Sequence, residues 1–101
     1  MREFLRGAVQ LHILYHAAHG EVHGAWVAEE LAHHGYTISP GSLYPTLHKM
    51  EADGLISSRA KVVDGRTRRS YVATAKGRRT LEETKGQLRE LADEILGTRK
   101  R

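Results

Sequence analysis

The sequence has no cysteine. That excludes disulfides, thiolate metal sites and thiol-based redox sensing. It has no long apolar run either. After Arg2 and Arg6 the N-terminal stretch is interrupted by Gln10, His12 and His16, so it reads as neither a signal peptide nor a membrane span. A cytoplasmic location is the expectation. Glycine-rich phosphate loops, nucleophile elbows and His-Glu-x-x-His motifs are missing, and the enzyme classes that depend on them are excluded with them. Internal repeats and low-complexity segments are absent too. Acidic residues are in the minority, with 12 Asp+Glu against 16 Lys+Arg and a formal net charge of +4. The excess favours an anionic partner. At 101 residues the chain can hold one domain with one modest core.

What is present is organised around Ser39-Pro40-Gly41-Ser42-Leu43-Tyr44-Pro45-Thr46-Leu47-His48-Lys49-Met50-Glu51-Ala52-Asp53-Gly54-Leu55. This stretch predicts one short helix. Pro40 and Gly41 break the chain before it, and Ser39 or Ser42 can accept its first free N–H groups. Pro45 belongs near the first turn, which puts the start of the regular helix near Ser42. Gly54 ends it. Leu43, Leu47 and Met50 share an inward face. Ser42, Tyr44, Thr46, His48 and Lys49 form the outward one, with hydroxyls, an aromatic ring and cationic or hydrogen-bonding tips suited to a DNA groove. An ordinary solvated helix face has the same composition.

The flanking segments give that helix a context. Residues 3–19 predict a first helix through Leu5, Val9, Leu11, Ile13 and Leu14, stopped by Gly20. Residues 24–34 predict a second, packed through Trp26, Val27 and Leu31 and ended by Gly35. Tyr36-Thr37-Ile38 is a short β-like link. The helix pair is a helix-turn-helix signal. Residues 55–63 and 68–73 are strand-like, joined across the hairpin dipeptide Asp64-Gly65. A hairpin directly after a recognition helix is a wing. Arg66, Arg68 and Arg69 lie at its tip, Arg59 and Lys61 on its incoming strand, and the nearest acid in sequence is Asp64. Such a tip fits phosphate contact or a narrow minor groove. Charge protecting an exposed sheet edge looks similar in sequence. Thr74 can cap a last helix reaching about Leu96, roughly 33 Å long. Leu81, Leu88 and Ile95 recur every seven residues with Leu91 between them, so two such helices could zip together; folding back onto the domain would bury the same leucines. Arg99-Lys100-Arg101 is expected to fray. The fold class is therefore mainly α with a β-hairpin wing: a winged helix-turn-helix over residues 1–74, and a C-terminal dimerisation helix and basic tail over residues 75–101.

Several runs together resemble the PadR-type transcriptional regulators. They are Val22-His23-Gly24, the Ser39 to Ile56 stretch with its specific Ser-Pro-Gly-Ser-Leu-Tyr-Pro run, Gly65-Arg66-Thr67-Arg68-Arg69-Ser70-Tyr71, and Ala73-Thr74-Ala75-Lys76-Gly77-Arg78. The resemblance covers about residues 5–96, nearly the whole chain. The chain is similar to the short subfamily with one C-terminal helix, and its Glu21 to Trp26 wording to actinobacterial members. The resemblance implies a homodimeric repressor. The helix containing Ser39, Ser42, Tyr44, Thr46, His48 and Lys49 enters the major groove, Arg66, Arg68 and Arg69 meet backbone or minor groove, and the C-terminal helix forms the dimer. It also implies release from DNA by an effector. Half-sites one duplex turn apart make the operator roughly palindromic. The lone tryptophan lies in the second helix, unlike the C-terminal tryptophans that hold flat drugs in some short members.

His12 and His16 replace two residues that are usually apolar in the resembling family. With His19 they occupy positions i, i+4 and i+7 of the first helix and share a face. They could ligate a transition metal such as zinc or cadmium, with Glu21, Glu3 or a partner's acid completing the set. They could respond to pH instead, or be structural. No cofactor is otherwise expected. The rival from another class is a winged-helix protein-interaction module that binds no DNA.

Overall fold

The computed structural model describes residues 1–98; the basic tail Arg99-Lys100-Arg101 lies outside the described residues. Helix α1 (Arg2–His19) buries Val9, Ile13, Leu14 and Ala17, the stripe that helical spacing places on one side. A two-residue strand β1 (Val22–His23) follows, which local sequence pattern does not announce. Helix α2 (Gly24–His33) starts directly after it, capped by His23, whose Nδ1 accepts from the Trp26 N–H at 3.3 Å. The expected β-like link after α2 is no strand. The Tyr36 N–H donates to the Leu31 carbonyl at 2.8 Å, so this segment closes the end of α2 instead of joining the sheet.

Helix α3 (Pro40–Ala52) begins two residues earlier than expected, at Pro40, with Ser39 as its N-cap. The Ser39 carbonyl, not its side chain, serves the first turn, accepting from Ser42 N–H at 3.0 Å and Leu43 N–H at 2.8 Å. Pro40 costs nothing at the first position, where its missing N–H has no partner to lose. Pro45 therefore sits inside the helix. Its missing bond falls on the Gly41 carbonyl, and both residues are exposed, so water can serve the freed acceptor. Leu43, Leu47 and Met50 point inward as expected. Gly54, at φ 79°, turns the chain out of the helix.

Strands β2 (Ile56–Val63) and β3 (Arg66–Ala73) form the hairpin, with Ile56 opposite Ala73 and Val63 opposite Arg66. Its two-residue turn has positive φ at both Asp64 (52°) and Gly65 (75°), the geometry that matches strand twist. β1 pairs antiparallel with the other edge of β3, Val22 opposite Tyr71, giving the sheet order β1-β3-β2.

Helix α4 (Ala75–Leu96) is capped by the Thr74 hydroxyl, which accepts from Gly77 N–H at 3.0 Å. Gly77 lies so close to the α3–β2 link that a Cβ there would stand 2.0 Å from the Leu55 carbonyl oxygen. Leu81, one turn on, enters the core beside Ile13, Leu31, Leu47, Ile56 and Tyr71. It is the last buried residue of α4. The helix then runs past the body, and the described molecule measures 56 Å along its long axis and 28 Å across. No described helix is long and apolar enough to cross a membrane.

Candidate nucleic-acid interface

Helix α3 separates its residues by face. With Leu43, Leu47 and Met50 inward, Ser42, Tyr44, His48 and Lys49 are exposed and Thr46 is half-buried. Ser39 and Ser42 flank the N-terminal end, their hydroxyls 3.4 Å apart. The Thr46 hydroxyl donates to the Ser42 carbonyl at 2.8 Å, so toward a ligand it can only accept. Lys49 pairs with Asp53 at 3.2 Å across exposed surface, a contact weak enough to be exchanged for a phosphate.

The wing divides its cations into two groups. Glu21, just before β1, reaches Arg59 at 3.4 Å and also bonds Lys61. Along the sequence these cations have no acid near them except Asp64; folding supplies Glu21. The Lys61 contact, then the Ser70 hydroxyl, hold the Glu21 carboxyl below its ordinary pKa. Arg69 donates to the Ser58 hydroxyl at 3.1 Å and lies back along the sheet. Arg66 and Arg68 have no carboxylate partner among the described residues. Arg68 Nη1 lies 3.4 Å from His23 Nε2. Because His23 Nδ1 accepts from Trp26, its ring proton sits on Nε2, and two donors face each other there. Arg68 gains no bond from that contact.

Two relationships that the sequence does not reveal hold α3 in place, one against the wing and one against α2. Glu51, near the end of α3, accepts from the Ser58 N–H at 3.1 Å and from its hydroxyl at 2.8 and 2.9 Å. Tyr44 packs on Gly24 at the start of α2, where a Cβ would stand 2.9 Å from the phenol. The aromatic of α3 is thus held in place although it is 43% exposed.

The profile of the transcriptional regulator PadR-like family matches residues 13–83. The chain belongs to this family. It is 63% identical over 97 residues to transcriptional regulator Rv3488 of Mycobacterium tuberculosis, covering 96% of this chain and 91% of that protein. A PadR-like transcriptional regulator from Bacillus cereus superposes with a TM-score of 0.85 at 33% identity, covering 95% of each chain. A PadR-family regulator from Eggerthella lenta gives 0.82 at 28% identity, covering 95% of this chain and 85% of that one. The protein is therefore a transcriptional regulator with a winged-helix fold, and not an enzyme. DNA binding follows from the family.

The leucines expected at a dimer seam separate in this PadR-like chain. Leu81 is 4% exposed and buried in its own protomer's core, whereas Leu88 (46%), Leu91 (49%) and Ile95 (68%) lie open on the overhanging part of α4. A groove of about 730 Å³ runs between α1 and α4, lined by Phe4, Leu11, Tyr15, Leu88 and Leu91 among others.

The three histidines of α1 also part company. His12 and His16 stack, with ring centroids 4.9 Å apart. His19 turns away, its Nδ1 2.7 Å from the Tyr15 carbonyl. The group that comes together is His12 with Glu30 and His34, whose ligand atoms all lie within 4.8 Å of one another. Glu30 and His34 are one turn apart at the end of α2, and nothing local in the sequence connects them to His12.

Proposed function

We propose that this PadR-family regulator is a homodimeric repressor that acts in the cytoplasm on a roughly palindromic operator and leaves it when an effector binds. The observation that carries the reading is the pair Arg66 and Arg68. They are cationic, exposed and without a carboxylate partner among the described residues, on a wing that Glu51 and Ser58 fasten to α3. In this reading Ser39, Ser42, Tyr44 and Thr46 face the major groove, His48 and Lys49 meet phosphate, and Arg69 supports the wing tip. Residues 1–74 form the DNA-binding unit, to whose core Leu81 adds one side chain. Residues 75–101 serve dimerisation, supported by the open row Leu88, Leu91 and Ile95 and by the apolar groove beside it. Two recognition helices roughly 34 Å apart then read half-sites one duplex turn apart.

A mobility-shift titration over a salt series, on DNA upstream of the protein's own gene, tests the reading. Saturable, salt-steep binding to a palindrome supports it. Absent or salt-insensitive binding favours a winged helix that docks on a protein instead. Light scattering of the wild type and of a Leu88→Glu/Leu91→Glu variant tests assembly. A dimer that the variant converts to a folded monomer supports the seam, and an unchanged mass removes it.

A further inference from the structure

We propose that His23 and Arg68 form a two-donor clamp for one phosphate of the DNA backbone, so that the residue capping α2 is itself a DNA contact. The inference rests on the DNA-binding reading above and adds to it a residue outside both α3 and the wing. His23 ends β1 and caps α2. Arg68 stands on β3, two residues toward the wing tip from Ser70, the register partner of His23. The two side chains meet with His23 Nε2 3.4 Å from Arg68 Nη1.

The two ring nitrogens of His23 are not interchangeable. Nδ1 accepts from the Trp26 N–H at 3.3 Å, so in the neutral imidazole the proton is on Nε2. Nε2–H and the guanidinium are both donors, and neither satisfies the other. What two converging donors can share is an acceptor. Phosphate oxygens accept charge-assisted hydrogen bonds at about 2.7–2.9 Å, so one phosphate group can reach both donors where they stand. No carboxylate holds the place among the described residues. Glu21, two positions before His23, is engaged by Arg59 and Lys61.

The clamp lies between the two elements that the DNA-binding reading assigns to the duplex. Gly24, the next residue, carries the Tyr44 phenol of α3, which comes within 2.9 Å of where a Cβ would stand. On the other side, Arg68 leads to the wing tip. Tyr44, His23 and Arg68 therefore follow one another from recognition helix to wing, with the start of α2 between them. A phosphate held there fixes the register of the duplex without reading its sequence. The His23 ring is half-buried and tied to its own helix through Nδ1, so it meets DNA already oriented, while Arg68 supplies the charge.

Capping and clamping use different nitrogens, so they can be separated. Asparagine is among the best N-cap residues. Its side-chain oxygen can replace Nδ1, but it has no donor that reaches as far as Nε2. His23→Asn keeps the cap and removes the clamp; His23→Ala removes both.

The experiment compares the whole wild-type chain with His23→Asn and His23→Ala. Fluorescence anisotropy measures affinity for a short duplex of arbitrary sequence and for DNA upstream of the protein's own gene. Thermal unfolding measures stability, and long-range proton–nitrogen NMR reads the His23 tautomer. The expected result is an Nε2–H tautomer whose Nε2 resonance moves when the duplex is added. His23→Asn should keep near-wild-type stability and lose about tenfold in affinity on both DNAs, the worth of a hydrogen bond to a charged group. His23→Ala should lose stability as well. In an Arg68→Ala background the asparagine should cost less than in the wild type, because the two residues share one phosphate. An Nδ1–H tautomer, or His23→Asn binding as tightly as the wild type, overturns the clamp and leaves the DNA-binding reading standing. Absence of DNA binding by the wild type overturns that reading, and the clamp with it.

Discussion

Gly24 and Tyr44 are in direct contact: the backbone at the start of α2 forms the floor on which the phenol of α3 lies, with room for no Cβ between them. Gly24→Ala should therefore push the phenol outward, because a side chain yields more easily than a helix. Operator affinity is expected to fall several-fold, while stability changes by less than about 1 kcal/mol, since alanine is otherwise the better helix former. Mobility shift and thermal unfolding of the same variant test this. Equal affinity with the wild type would detach Tyr44 from DNA contact.

Gly77→Ala presents the opposite case. The obstructing atom is the Leu55 carbonyl oxygen, part of the backbone, and the overlap is severe. One of the two segments must move, at a cost of about 1–3 kcal/mol, as for other overpacked sites. Chemical denaturation should show the loss in midpoint with the slope unchanged.

Removing Arg66 and Arg68 together should weaken binding to every sequence and flatten the plot of log affinity against log salt, by roughly one unit for each phosphate that is no longer neutralised. Arg59→Ala should do less, because Glu21 already occupies that guanidinium. A salt series on both variants separates the two groups of wing cations. Identical slopes would place the wing away from DNA.

The Glu21 carboxyl titrates below its ordinary value, chiefly through Lys61. Its folded pKa lies below the unfolded one, so the clamp on β2 is fully present above the unfolded value and is lost as pH falls through the lowered one. NMR titration of the Glu21 side-chain carbon should show the low midpoint, and Lys61→Ala should move it upward. A midpoint that the variant leaves in place would assign the shift to Ser70.

Much of the fold is legible from neighbouring residues. The Pro40-Gly41 break, the Asp64-Gly65 turn and the Thr74 cap are local signals, and α3, the wing and α4 form around them. What is hidden depends on distance along the chain. β1 is two residues long and exists only because β3 offers an open edge. Glu21 meets Arg59 and Lys61 across 38 and 40 positions, so the hairpin's own sequence does not supply that acid. A seven-residue repeat cannot separate Leu81, which the core absorbs, from Leu88 and Ile95, which it leaves outside. Helical spacing puts His19 with His12 and His16, but the Tyr15 carbonyl holds it elsewhere. The start of α3 falls before the expected Ser42 because the cost of Pro45 depends on whether the Gly41 carbonyl can reach water, which spacing does not report.

The end of α4 has a consequence for how this chain folds. Beyond Leu81 the helix continues for fifteen residues to Leu96 with no buried apolar residue to hold it. Isolated helices of about this length are marginal in water. In the proposed dimer, order in that half comes from the second copy, which makes secondary structure itself depend on protein concentration. Diluting the protein should shorten the helix before it unfolds the domain.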